Sequence, residues 1–519
     1  MSNSGVWRRT WKSFRFILRK HGITRYTVRA RLARRENTIA YLLGMLFSYL
    51  AIALILPLIV ALIYNEDPRP WIYPIILCAS LGAPLLLRFE AAQFTRPTAA
   101  LFVVTMGWLI AMVLGAIPYI MYGMSIIDAM FETMSGFTTT GSTIMLDIEA
   151  WPNSILFWRS FSQWLGGAGI ILIFITILPM VGVAGRNLAK SEFSGFDIQN
   201  ISLRIQEESS KFHYIYMAFS GIMFLLLLVT GIGLFDSLTV MFSTISTGGF
   251  SPHTQSIAYY HNPLVEWIVI VFMFLAATNF YLHFQAFVSR DRKTYWRSAE
   301  FRSYAFIFLA ASVAVTAILW GHEFDELEPG IRTSMFQVIS CMSSTGFATT
   351  DFSLWSRSAI FLLLALIVIG GCSGSTAGGI KVVRFVLSRK FIYSSIYKTV
   401  HPRAIFSIKL DGRQLGENVV SSMMAVAMCY LATALLCSVV LVLLGIDPTT
   451  AISAAVTTLS NAGPGVGQLG PMGTFGLLPD LAKLVLIFTM WVGRLEFITV
   501  FAVLTPIFWR EMIRYRKAK

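Results

Sequence analysis

The stretch Ser135-Gly136-Phe137-Thr138-Thr139-Thr140-Gly141-Ser142-Thr143 returns in altered form three more times along the chain. The later versions read T-I-S-T-G-G-F (residues 244–250), M-S-S-T-G-F-A (342–348) and L-S-N-A-G-P-G (459–465). Set in register on Gly141, Gly248, Gly346 and Gly463, the windows lie 107, 98 and 117 residues apart, a repeat of about a hundred residues. Before each window stands a segment that is too short or too polar to cross a bilayer: 126–138, 235–246, 331–344 and 448–460. These read as re-entrant helices that stop at a glycine-containing turn. Non-helical backbone at membrane depth is tolerated only in a protein interior or along a water-filled cavity, so four such turns are expected to converge on one pore.

The rest of the chain fits that frame. With 56% hydrophobic residues in 519, and a mean hydropathy of +0.67, it must use lipid as solvent. Ten apolar segments of spanning length are expected at 39–64, 70–88, 98–121, 151–180, 211–235, 263–289, 301–320, 355–400, 414–445 and 480–509. The first 35 residues hold eleven Lys and Arg and no acid, which places that end in the cytoplasm. The basic connections at 186–211, 290–302, 381–413 and 510–519 fall on the same side when ten spans alternate, so both termini are cytoplasmic. Acids such as Glu323, Asp325, Glu326 and Glu328 fall outside. The expected organisation is a basic N-terminus (1–38), two extra spans (39–95), and repeats at 96–210, 211–297, 298–410 and 411–519, the last including a basic C-terminus. The fold class is therefore an all-α polytopic membrane protein: four helix, pore-loop, helix repeats around a pseudo-fourfold pore, with two additional N-terminal helices.

A cation filter needs backbone carbonyls aimed at the ion, and glycine reaches backbone conformations that a Cβ resists. That is the chemical reason for Gly141, Gly248, Gly346 and Gly463. The C-terminal ends of the short helices carry partial negative charge and favour a cation at their meeting point. Gly166, Gly167 and Gly169, in the middle of the Q-W-L-G-G-A-G-I span (163–170), read instead as helix-packing positions. The run Gly370, Gly371, Gly374, Gly378 and Gly379 cannot hold a regular helix, since each interior glycine costs about 1 kcal/mol relative to alanine. It predicts a loop at membrane depth. Arg494 lies mid-span, where a charge is expensive unless it faces protein or a water-filled cavity, and it is expected to face the pore. Glu132, Arg159 and Glu266 sit nearer span ends and read as structural or interfacial.

The four windows, Q-W-L-G-G-A-G-I at 163–170, G-G-C-S-G-S-T-A-G-G-I-K at 370–381 and W-V-G-R-L-E at 491–496 together resemble the TrkH family, the potassium-translocating subunits of bacterial Trk uptake systems in the wider Trk/Ktr/HKT superfamily. The likeness covers essentially the whole chain. It implies a potassium filter built by Thr139, Thr140 and Gly141; Ser246, Thr247 and Gly248; Ser344, Thr345 and Gly346; and Asn461, Ala462 and Gly463. It also implies a gate at Cys372, Ser373, Gly374, Ser375, Thr376, Ala377, Gly378 and Gly379, with Arg494 as an electrostatic barrier beside it. Potassium is then the transported ion rather than a cofactor, and the site is the bacterial inner membrane. Further implications are a homodimer with two separate pores and a cytoplasmic ring of TrkA-type subunits that bind the nucleotide (ATP/ADP or NAD). The fourth turn, with Asn461-Ala462 in place of Ser-Thr, makes the filter unequal.

Other functions fit poorly. The G-C-S-G at 371–374 matches the pattern of rhomboid-type serine proteases, yet the only later histidine, His401, sits in a basic connection. The remaining histidines lack metal-ligand spacing, and the five cysteines read as packing residues. There is no G-x-x-x-x-G-K-[ST] and no strand followed by G-x-G-x-x-G, so any nucleotide is expected on a partner. The basic N-terminus suits membrane topology and contact with anionic lipid better than nucleic acid. A symporter coupling potassium to protons or sodium remains the alternative, although four units entering with one orientation favour a channel-like pore over inverted repeats.

Overall fold

Seven of the described α-helices start behind a capping Asn, Ser or Asp side chain, and apolar runs fill the long ones. A computed structural model describes residues 35–90, 97–176, 201–403 and 407–517. The basic segment 1–34, the connection 91–96 and residues 177–200, which include most of the first basic connection, lie outside the described residues. Helix α1 (Thr38–Ala53) begins behind Asn37, whose side-chain oxygen accepts the Ala40 N–H, and continues into α2 (Ile55–Ile63). Helix α3 (Arg69–Arg88) returns alongside it. A two-residue parallel ladder, β1 (Arg35–Glu36) with β2 (Phe89–Glu90), ties their ends together.

Four units follow. The first contains α4 (Pro97–Met121), the short α5 (Ile126–Phe137) and α6 (Asn153–Thr176). The second contains α7 (Ile201–Val229), the short α8 (Leu234–Ile245), then α9 (Pro263–Ala276) and α10 (Phe280–Phe287). After the single turn α11 (Thr294–Arg297), the third has α12 (Ala299–Leu319), the short α13 (Leu327–Met342), α14 (Arg357–Ile369) and α15 (Val382–Val400). A hairpin of β3 (Lys409–Leu410) and β4 (Arg413–Gln414) leads to the fourth: α16 (Glu417–Leu443), the short α17 (Pro448–Leu459), α18 (Asp480–Leu495), α19 (Phe497–Leu504) and a terminal α20 (Pro506–Lys517).

The helices divide the labour between lipid and protein. Among the described residues, six helices are long and apolar enough to cross a bilayer, and they are the N-terminal pair plus the first helix of each unit. The second helices carry the polar and broken stretches. Each short helix packs between the second helix of its own unit and that of the preceding one: α5 against α6 and α18, α8 against α9 and α6, α13 against α14 and α9, α17 against α18 and α14. That order closes a ring, and the chain is an all-α polytopic membrane protein built on it.

Among the described residues three second helices are interrupted, where the glycine run alone predicts one. Segment 263–289 bends by 99° at Thr278-Asn279, and 480–509 by 115° at Glu496, whose φ is 62°. Neither break contains a glycine or proline, the usual sequence marks of a broken helix. Asn279 restarts its helix by accepting the Tyr281 N–H at 2.8 Å, while the Thr278 hydroxyl turns back to Phe274 O at 2.9 Å. At the third break, Lys381 takes a φ of 83° as α15 begins.

Candidate functional site

Each short helix ends in the same way. In the first unit Thr139 N–H bonds back to Gly136 O at 3.0 Å and Thr140 N–H to Ser135 O at 2.8 Å, a left-handed helix cap. Thr247 and Gly248, Ser344 and Thr345, and Asn461 and Ala462 repeat both bonds. The left-handed residue is Thr139, Thr247, Ser344 or Asn461, with φ between 51° and 57°, where most helices place glycine. Two residues on, Gly141, Gly249, Gly346 and Gly463 take φ between 79° and 85°. Non-glycine residues in the left-handed region are sparsely populated and tend to collect at functional sites.

This geometry corrects the register in the second unit. The residues that match Thr139-Thr140-Gly141 are Thr247-Gly248-Gly249, not Ser246-Thr247-Gly248. Ser246 instead occupies the helix-capping position shared by Thr138, Ser343 and Ser460. The cue lay in the dipeptide Gly-Phe, which is common to 249–250 and 346–347, whereas alignment on the first glycine slipped by one. The fourth turn is therefore not the only one without a central hydroxyl: Thr140 and Thr345 alternate around the ring with Gly248 and Ala462.

The matched glycines close the ring. A Cβ on Gly141 would run into Gly248 O, and one on Gly249 into Thr345 O. One on Gly346 would lie 2.6 Å from Ala462 O, and one on Gly463 3.0 Å from Thr140 O. Each turn thus abuts the carbonyl of the next, and the fourth returns to the first. Ser142 Oγ donates to Gly463 O across the closing seam at 2.8 Å, and Asn461 Nδ2 donates to Thr140 Oγ1 at 3.0 Å and to Met490 O at 3.0 Å.

Polar side chains brace the ring from behind, in keeping with the structural reading of two of them. Glu132 and Arg159 are both buried and paired at 2.8 Å. Glu132 also accepts from Thr143 Oγ1 and Ile144 N, while Arg159 donates to Ser251 O at 3.0 Å and lies 4.2 Å over the Phe250 ring. The pair therefore joins the strands leaving the first and second turns. Gln163, quoted above only as part of a motif, donates from Nε2 to Gly248 O at 2.7 Å and accepts the Phe250 N–H at 3.1 Å. Glu266 forms an ion pair with Arg332 at 2.7 Å farther out. Of the three mid-helix glycines, Gly166 and Gly167 pack against Phe137 O and Ser246 at two helix ends, whereas Gly169 has open space around it.

The stretch 370–381 lies at the inner ends of these short helices. Gly378 sits so close to Ser460 O that a Cβ would collide with it, and its N–H bonds to Ser344 Oγ at 3.1 Å. Thr376 Oγ1 donates to Ile245 O at 3.2 Å and to Ala276 O at 3.1 Å. The break in the second unit supplies the other side: Cys372 N–H bonds to Ala277 O at 2.9 Å, and Phe280 N–H to Gly374 O at 3.0 Å. Ser375 Oγ closes the stretch on Cys372 O at 2.6 Å. Thr376 and Gly378 are thus held at the short-helix ends and Cys372 and Gly374 at the break in the second unit, with Ala377 O accepting from Lys381 Nζ at 2.6 Å.

Arg494, 4% exposed, donates from Nη1 to Thr376 O at 2.9 Å, and among the described residues its Nε and Nη2 find no protein acceptor. Its neighbour Glu496 does not pair with it. Glu496 takes both oxygens to Arg384 Nη2 at 2.9 Å, a buried bridge between two broken helices. Arg494, Asn461 and Gly378 line one small cavity beside the stretch.

The comparisons agree with this architecture. Residues 72–508 match the TrkH family, described as a cation transport protein. The chain is 34% identical over 483 residues to the Trk system potassium uptake protein TrkH of Salmonella typhimurium (strain LT2), covering 92% of this chain and 99% of that protein. It is 30% identical over 482 residues to the Trk system potassium uptake protein TrkG of Escherichia coli (strain K12), with the same coverage. The crystal structure of the potassium transporter TrkH from Vibrio parahaemolyticus superposes with a TM-score of 0.83 at 32% identity, over 91% of this chain and 99% of that one. By its fold, its ring of four turns and these matches, the chain belongs to the TrkH family of cation transport proteins.

Proposed function

We propose that this chain carries potassium into a bacterial cell across the inner membrane, as the membrane subunit of a Trk uptake system. The observation that supports this reading is the closed ring in which each turn's glycine abuts the next turn's carbonyl. Backbone carbonyls there replace part of the hydration shell of the ion, and four helix C-termini add negative potential at the same point. In the structural register the ion-facing residues are Thr139, Thr140 and Gly141; Thr247, Gly248 and Gly249; Ser344, Thr345 and Gly346; and Asn461, Ala462 and Gly463. Gly248 O already accepts from Gln163 Nε2 at 2.7 Å, so the four carbonyls are unequal ligands.

The stretch from Cys372 to Gly379 is the gate, and Arg494 is the fixed positive charge beside it. Both termini face the cytoplasm, and the short helices enter from outside. Two copies form a homodimer with two pores, embedded in membrane lipid, with no role for nucleic acid. A TrkA-type cytoplasmic ring carrying ATP/ADP or NAD docks on the basic connections, including 381–413. Rubidium uptake into cells stripped of their own potassium uptake systems tests the reading. Expression of the chain is expected to restore uptake and growth at low potassium; membrane-inserted protein that restores neither would defeat it.

A further inference from the structure

One buried carboxylate holds the 370–381 stretch, and no role assigned so far uses it. Glu300 lies in the first turn of α12, 1% exposed, and Oε1 accepts the Ser373 N–H at 2.6 Å. Its cationic neighbour is Lys381, whose Nζ donates to Ala377 O at the far end of the same stretch at 2.6 Å. A backbone N–H bonded to a carboxylate is a charge-assisted hydrogen bond, roughly twice as strong as a neutral one. Glu300 therefore holds the start of the stretch from a helix outside the short-helix ring, while Lys381 ties the end of the stretch back on itself.

The residue before Glu300 is tied to something different. Ala299 N–H donates to Asp411 Oδ1 at 2.7 Å, and Asp411 stands at the tip of the β3–β4 hairpin, with φ of 49° beside Gly412 at 79°. Leu410 of that hairpin is buried against Val383 and Leu387, the start of the helix that leaves the stretch. The hairpin thus grips both the helix that carries Glu300 and the helix that follows Lys381. It lies within the basic connection 381–413, where the cytoplasmic partner is placed above.

We infer that Glu300 is the positioning residue that keeps the gate seated beneath the turns, and that the 409–414 hairpin is the handle through which a cytoplasmic event reaches it. The inference rests on the reading of 372–379 as a gate. Cys372, fully buried at the start of the gate, is a native reporter. In a chain with Cys78, Cys341, Cys429 and Cys437 replaced by alanine, inside-out vesicles are treated with a charged methanethiosulfonate reagent, and rubidium flux is followed in parallel. Glu300→Gln keeps an acceptor oxygen but removes its charge, and is expected to raise the rate of Cys372 modification and the partner-free rubidium flux by about tenfold, the scale of turning a charge-assisted hydrogen bond into a neutral one. Asp411→Ala, on an exposed turn, is expected to raise both by a smaller factor and decides the matter if the Glu300 variant does not reach the membrane.

Parental modification and parental flux in both variants would overturn the inference while leaving the transport reading intact. An increase with Glu300→Gln but none with Asp411→Ala would remove the hairpin as the handle. A parent chain that carries no rubidium at all would instead defeat the transport reading.

Discussion

At the residue scale, the four glycines that follow the left-handed caps do not carry equal weight. Alanine at Gly141 or Gly249 combines a positive φ with a collision against a neighbouring carbonyl, whereas alanine at Gly463 meets Thr140 O at 3.0 Å and needs a smaller shift. Backbone strain of this kind costs on the order of 1–3 kcal/mol per site. Gly249→Ala and Gly141→Ala are therefore expected to cut potassium uptake at least tenfold, and Gly463→Ala less, when initial rates are compared at equal expression. Gln163→Leu leaves Gly248 O and Phe250 N–H without their partner in a buried place, a cost of about 1–3 kcal/mol per group. It is expected to change the sodium-to-potassium permeability ratio about tenfold. Arg159→Leu strands the buried Glu132 charge, and loss of one partner from such a pair costs about 3–5 kcal/mol. Its signature is a lower thermal unfolding temperature in detergent, partly recovered when Glu132→Gln is added.

At the element scale, the 370–381 stretch is a loop because its five glycines leave it no regular helix, and the broken helices of the second and fourth units satisfy part of its backbone. Gly378→Ala pushes a Cβ into Ser460 O, and Arg494→Ala removes the fixed charge bonded to Thr376 O. Both are expected to raise rubidium flux severalfold over the parent, with Arg494→Lys closer to parental values; reduced flux in both alanine variants would argue that these residues support conduction rather than restrain it. Much of this level was legible in the sequence. The short helices expected at 126–138, 235–246, 331–344 and 448–460 appear as Ile126–Phe137, Leu234–Ile245, Leu327–Met342 and Pro448–Leu459, because apolar length and polar caps are local signals. The breaks at Thr278-Asn279 and Glu496 were not legible, since what stabilises them is distant in sequence: the 372–374 backbone for one and Arg384 for the other. The second turn's register failed for a related reason. Two adjacent glycines leave the local pattern ambiguous, and only contact with Gly141 and Thr345 fixes which one takes the positive φ.

At the scale of the whole molecule, the first helices supply the long apolar spans and the second helices the polar interior, so one chain closes a ring from four of its own units. The formal net charge of +14 is concentrated in the connections placed on the cytoplasmic side. Replacing Lys390, Lys398, Arg403 and Lys409 by glutamine is expected to abolish co-purification with a nucleotide-binding partner, and raised salt to weaken it in the parent, because exposed charges are screened within about 10 Å at 0.1 M. Transport selectivity, set by the ring and not by that face, is expected to survive the same change. On the proposed reading, Thr139–Gly141, Thr247–Gly249, Ser344–Gly346 and Asn461–Gly463 form a single cation filter in that register. Reversal potentials under potassium and sodium gradients, recorded from the parent, Gly249→Ala and Ser246→Ala, test it most directly. A filter in that register keeps potassium preference in the parent and in Ser246→Ala, and loses conduction or that preference in Gly249→Ala; parental selectivity in Gly249→Ala would rule the register out.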